Sequence, residues 1–183
     1  NRGADHTIYM ACASGRNGYN QIIFDPTDKI LKRDNILFID TGSTYDGYFC
    51  DFDRNFCFGL INKTIDKAYQ ATWNAVTKGI EEAKPGKKCS DIFQSINKIL
   101  EEGGSSGNGV GRMGHGFGLQ LTEPPSIMNN DETILKPGMA ITIEPVYEFN
   151  NGNMIVLEEN IIITEDGNKI ITKRADKEIP VIK

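Results

Sequence analysis

The sequence predicts an α/β fold of the α+β kind, with a strongly curved antiparallel sheet and helices on its outer face. Three observations carry this. Stretches at 36–59 and 135–164 read as two β-hairpins, rich in β-branched and aromatic residues. Two amphipathic helical segments separate them. Each hairpin carries one acidic residue on each arm, Asp40 and Asp51 in the first and Glu144 and Glu158 in the second.

The elements follow in order. TIYMACA at 7–13 reads as a strand, closed by a Gly/Asn-rich turn and a loop through DPTDK. ILFID at 36–40 is an apolar strand, and 45–59 alternates as its partner. Residues 63–83 carry apolar side chains at 65, 68/69, 72/73, 76 and 80, which is helix spacing, and Pro85-Gly86 ends the run. A second helix is predicted over 90–102, with Ser90 as its N-cap and Gly103-Gly104 as its stop. Tyr69, Trp73 and Phe93 fall at helical spacing and read as core. A glycine-rich stretch then leads to a short extended piece at 117–122. Residues 135–145 run from loop into strand, 154–164 is the predicted hairpin partner, and EDGN turns into a last short strand.

At 183 residues the chain has the size of one domain. Hydrophobic residues are 39% and charged residues 25%, which places it among globular rather than disordered chains. The net charge is -5 and no Lys/Arg run exceeds two residues, so neither nucleic acid nor an anionic membrane is an expected partner. No apolar run approaches a membrane span. Cys12, Cys50, Cys57 and Cys89 form no C-x-x-C pair, and Cys50 and Cys57 have opposite strand parity. They read as reduced thiols in a reducing, cytoplasmic compartment.

The chemistry lies in Asp40, Asp51, His115, Glu144 and Glu158. Four carboxylates and one imidazole suit a pair of divalent metals, because bridging carboxylates offset two dications. Asp40 shares parity with Ile36 and Phe38, Glu144 with Ala140 and Thr142, and Glu158 with Met154 and Val156. A carboxylate among such neighbours is costly unless it is paired or metal-bound. Taken singly, each has an ordinary reading: a turn-forming Asp, a loop His, a strand-end Glu.

Their joint order carries a resemblance. DTGSTYDGYFCDFDRNF, GHGFGLQLTEPPSI, LKPGMAITIEP and LEENIIITEDG resemble four ordered blocks of the pita-bread metallopeptidases. That family includes methionine aminopeptidase, Xaa-Pro aminopeptidase, prolidase and creatinase, and the Xaa-Pro branch is the more similar. The resemblance spans about residues 8–172. It implies the pita-bread fold, with Asp40, Asp51, His115, Glu144 and Glu158 as ligands of two divalent ions. Mn²⁺ or Co²⁺ are the expected ions, and Zn²⁺ or Fe²⁺ also fit. The implied reaction is cleavage of a peptide or amide bond by a metal-bridging hydroxide, with Glu144 as proton shuttle.

The chain departs from the family pattern at three histidine positions, which hold Ile23, Gly111 and Thr122. Thr122 keeps one hydrogen bond to offer substrate, and with Glu144 and His115 completes the expected catalytic set. The family's Thr or Ser before the motif arginine is Asp53 here, on the strand parity of Asp51; pairing with Arg54 or solvation is favoured over its adding a metal ligand. Tyr147 and Phe149 are candidates for a pocket mouth or for packing, and His6 lies outside every block.

Three functions compete. The first is an Xaa-Pro-type metallohydrolase. The second is a pita-bread metalloenzyme with a small non-peptide substrate, as in creatinase or the dimethylsulfoniopropionate lyases of this fold. The third is a metal-free binding module. Expected partners are a peptide or small-molecule substrate, a second copy in a homodimer, and the N-terminal part of the same polypeptide. The last follows from the family, whose catalytic domains begin with two helices ahead of the strand at 7–13. Residues 1–183 are therefore expected to be a C-terminal catalytic domain, incomplete on its N-terminal side.

Overall fold

The computed structural model describes residues 3–22, 27–107 and 111–182. Strands β1 (His6–Gly15), β2 (Ile36–Tyr45) and β3 (Tyr48–Phe58) form an antiparallel meander. Helices α1 (Lys63–Glu82) and α2 (Cys89–Gly103) follow. The second half contains β4 (His115–Gly116), β5 (Glu123–Ser126), β6 (Ala140–Ile143), β7 (Val146–Glu148), β8 (Met154–Val156), β9 (Glu159–Ile163), β10 (Asn168–Ile170) and β11 (Val181–Ile182).

The strands do not form one continuous ladder. One sheet has the order β1-β2-β3-β11, a second has β10-β9-β6-β4-β5, and β7-β8 is a separate pair. The reason is local. Pro145 has no N–H to give a ladder, so the chain leaves β6 before entering β7. Leu157 and Glu158 lie outside strand between β8 and β9. The expected hairpin of 135–145 with 154–164 is therefore split: β6 pairs with β9, and β7 with β8. The two acidic hairpins meet edge to edge through side chains. Arg54 Nη1 donates to the Glu158 carbonyl at 2.7 Å, Asn160 Nδ2 donates to the Asp51 carbonyl, and Asn55 Nδ2 to the Val156 carbonyl.

Asn62 caps α1, its side chain accepting from Ile65 N. The buried face of α1 runs through Ile65, Ala68, Tyr69, Thr72, Ala75, Val76 and Gly79, and packs on α2, β6, β7 and β8. The main core therefore lies between the helices and the second half. Tyr69 is fully buried, whereas Trp73 and Phe93 are partly buried against that core.

Ser90 is not the cap of α2. Lys88 holds that position without a side-chain bond, and the Thr133 and Asp131 carbonyls accept from Cys89 N and Ser90 N. Ser90 instead donates its hydroxyl to Glu132 at 2.9 Å. Gly104 closes α2 in the left-handed conformation. Residues 117–122 are a run of bends, not an extended piece. Gly118 N bonds Gln120 O at 3.1 Å and Gln120 N bonds Glu123 Oε1 at 2.7 Å, which folds the segment on itself.

The outer face of β1 is bare. Ala11 and Ala13 are buried, while Ile8 and Met10 on the opposite face are 49% and 62% exposed. Cys50 and Cys57 do point to opposite faces, one exposed and one buried. Among the described residues, no helix is long and apolar enough to cross a membrane.

Candidate metal centre

The centre forms where the two sheets meet. Asp40 comes from β2, Asp51 from β3, His115 from β4, Glu144 from just beyond β6, and Glu158 from the break before β9. Asp40, Asp51 and Glu158 each present an oxygen, all within 4.8 Å of one another. His115 Nε2 lies 3.1 Å from Glu144 Oε1 and 3.5 Å from Asp51 Oδ2. The structure thus brings all five residues into one contact group. Asp51, His115 and Glu158 are buried, and Asp40 and Glu144 are partly so.

Backbone geometry places His115. Gly114 has φ +152°, and a Cβ there would stand 2.2 Å from the Thr142 carbonyl oxygen, so only glycine lets β4 approach β6 this closely. His115 N donates to Thr142 Oγ1 at 2.9 Å, and that hydroxyl donates to Glu144 Oε1 at 3.2 Å. One buried threonine therefore orients both residues. His115 Nδ1 lies 2.9 Å from the Gly116 carbonyl, which only accepts, so Nδ1 carries the proton. Nε2 is left facing the carboxylates, the arrangement a metal-binding imidazole needs.

The electrostatics follow from crowding like charges in a partly dry site. Burial pushes Asp40 up to about 7, with repulsion from Asp51 and Glu144 adding to it and a hydrogen bond from Tyr9 opposing it. Burial, then the neighbouring carboxylates, holds Glu158 and Asp53 well above the carboxylate range. Burial also raises Glu144. Burial alone would lower His115, but the Asp51 and Glu144 carboxylates outweigh it and hold the imidazole above its ordinary value. Glu158 Oε1 is buried with no hydrogen-bond partner among the described residues. An orphaned carboxylate oxygen amid other carboxylates fits a site for divalent cations.

Other residues belong to the centre without having been expected there. The Tyr9 hydroxyl donates to Asp40 Oδ1 at 2.8 Å and is also in hydrogen-bond contact with Asp51 Oδ1. Its parity with Ala11 and Ala13 was the available signal, since it puts a phenol on the buried face of β1. Asp53 is neither solvated nor bonded to the Arg54 guanidinium through its carboxylate. It is 2% exposed, and Arg54 instead binds Glu159 at 3.1 Å. Glu159 is fully buried and also faces Arg174 at 3.6 Å and Ala175 N at 2.7 Å.

Thr122 stands exposed on the loop between β4 and β5 and makes no described hydrogen bond to the carboxylates. Gly111 has φ +79°, and Ile23 lies outside the described residues. Tyr147 packs at 6% exposure with its ring 5.0 Å from that of Phe149, so the pair belongs to the core region. His6 is exposed at the start of β1.

The profile of metallopeptidase family M24 matches residues 1–165. An Xaa-Pro dipeptidase of Pyrococcus furiosus is 34% identical over 147 residues, covering 80% of this chain and 42% of that protein. The chain thus spans less than half the length of that relative. A dipeptidase from Mycobacterium ulcerans superposes with a TM-score of 0.90 at 27% identity, over 98% of this chain and 48% of that one. A methionine aminopeptidase from Rickettsia prowazekii gives a TM-score of 0.77 at 28% identity, over 90% of this chain and 73% of that one.

Proposed function

The chain belongs to metallopeptidase family M24 and has its pita-bread fold, and from that premise we propose that it is the catalytic part of a dinuclear metal-dependent peptidase acting on Xaa-Pro substrates. The observation that supports this reading most is the convergence of Asp40, Asp51, His115, Glu144 and Glu158 on one buried spot from two separate sheets.

The residues fit the ions. Four carboxylates, among them Glu158 whose Oε1 has no hydrogen-bond partner among the described residues, and one imidazole with its far nitrogen tied to backbone make a hard, oxygen-rich donor set. Mn²⁺ or Co²⁺ suits it, with Zn²⁺ and Fe²⁺ as further candidates. Bound divalent ions supply Lewis-acid activation of water and of the scissile carbonyl. The protein's own groups do the rest. Glu144, with its pKa raised by burial and held by Thr142, takes a proton from water and passes it to the leaving amine. His115 stays oriented by the Gly116 carbonyl and the Thr142 hydroxyl. Thr122 offers substrate one hydrogen bond but has no proton to exchange near neutral pH.

We also infer that residues 1–183 are a catalytic part of a longer, cytoplasmic polypeptide. The 42% coverage of the Pyrococcus furiosus relative and the exposed Ile8–Met10 face support this. Four free thiols suit a reducing compartment.

A second reading, a small non-peptide substrate, is favoured by Gly111 and Thr122 standing where the resembled pattern has histidines. The deciding experiment gives the full-length polypeptide Mn²⁺ or Co²⁺ and a panel of Xaa-Pro dipeptides and tripeptides. Turnover supports the first reading. Metal binding without peptide turnover moves the assignment to the second. No metal binding at all leaves a binding module.

A further inference from the structure

Asp53 has no part in the function proposed above, yet it faces the same site. It follows Asp51 by two residues on β3, so both side chains leave the strand on one face. Its cross-strand partner is Asp40, and directly opposed residues of an antiparallel pair project together. Asp53 is therefore flanked by two of the five clustered residues. It is 2% exposed, and its Oδ1 is buried without a hydrogen-bond partner among the described residues.

The neighbouring cation does not serve it. Arg54 Nη1 donates to the backbone carbonyls of Asp53 and Glu158, and Nη2 is held by Glu159 and the Lys173 carbonyl. A carboxylate kept only to brace the hairpin would be hydrogen-bonded or exposed, because a buried charge without a partner opposes folding. A threonine or serine, the residue of the resembled motif, would brace the strand without that cost. The charge is explained if its partner is a cation bound next to it.

We propose that Asp53 is a further carboxylate of the divalent-cation site, one that strengthens binding of the ions held by Asp40 and Asp51 through its charge. This rests on the metal-site reading of the five residues. It makes the site one negative charge richer than the resembled motif and so biases it towards hard, oxygen-preferring ions.

The test compares the full-length wild type with Asp53→Asn and Asp53→Thr. Mn²⁺ is titrated calorimetrically, and thermal unfolding is followed without metal. The expected result has opposite signs. Both variants lose about 10–100-fold in Mn²⁺ affinity, while their metal-free melting temperatures rise. A structural brace would lower stability and leave affinity alone. Unchanged affinity, or a fall in metal-free stability in both variants, overturns the proposal. A wild type that binds no Mn²⁺ overturns the metal-site reading itself and this inference with it, and so is distinguishable from failure of the Asp53 step.

Discussion

The ring of Tyr9 lies across Gly42, so close that a Cβ on Gly42 would stand 2.2 Å from Tyr9 Cε1. The contact crosses from β1 to β2 and carries the Tyr9 hydroxyl to Asp40 and Asp51. A single missing methyl group therefore decides whether a phenol can reach the carboxylates.

Gly42→Ala is expected to push the Tyr9 ring off the strand. Overpacking of this kind costs about 1–3 kcal/mol, readable by urea denaturation. Tyr9→Phe keeps the ring and removes only the hydroxyl, for a loss of about 1 kcal/mol. If Gly42→Ala were no more harmful than Tyr9→Phe, the ring contact would not be controlling the site.

Metal-free stability is expected to fall as pH rises. Asp40, raised to about 7, keeps its proton in the folded chain over a range where the unfolded chain, with a pKa of about 4, has lost it. That contribution is fully present below the unfolded value and gone above the folded one. Asp53, Glu144, Glu158 and His115 are also raised and act with the same sign. Thermal unfolding in a chelator should show melting temperatures declining from about pH 4 to beyond pH 7. Mn²⁺ should flatten the decline, because binding releases those protons. A melting temperature that climbs over this range in chelator would contradict the raised carboxylates.

Glu159→Gln should be among the most damaging single changes. It leaves Arg54 and Arg174 facing a neutral amide in a buried site, and breaking a buried pair costs about 3–5 kcal/mol. Since Arg54 also holds the Glu158 carbonyl, Mn²⁺ affinity should fall along with stability. Equilibrium denaturation and calorimetry on the same samples check both. A stable variant with weakened metal binding would mean that the network positions Glu158 without supporting the fold.

Thr122→His restores an imidazole at a position where the resembled peptidases have one. One proton-transfer group is worth roughly 10²–10⁴-fold in rate. Turnover of Xaa-Pro dipeptides by the full-length, Mn²⁺-loaded variant should therefore rise by at least an order of magnitude. No gain would show that the exposed loop at 117–122 does not bring residue 122 to substrate.

Helix placement was legible because periodicity is a local property. The spacing through Ile65, Ala68, Tyr69 and Val76 marks the face that α1 buries. The five clustered residues were legible only together, through the order of their blocks. Pairing of Asp53 with Arg54, the favoured reading of two sequence neighbours, gives way because that arginine's partner, Glu159, is 105 residues away. Ser90 was misjudged because loop carbonyls from 131–133, not a side chain, cap α2.

By itself the sequence determined the strand parity, the two helices and the identity of the carboxylates and the histidine, since side-chain type and period are written in it directly. Tertiary structure alone decided that the sheets are separate and joined by Arg54, Asn55 and Asn160. It also decided that Tyr9 touches two aspartates and that Asp53 Oδ1 is buried without a hydrogen-bond partner among the described residues. The physical reason is that pairing and burial depend on which distant segments meet. Here the meeting place was set by the break at Pro145, by the close approach at Gly114 and by the ring of Tyr9 lying over Gly42.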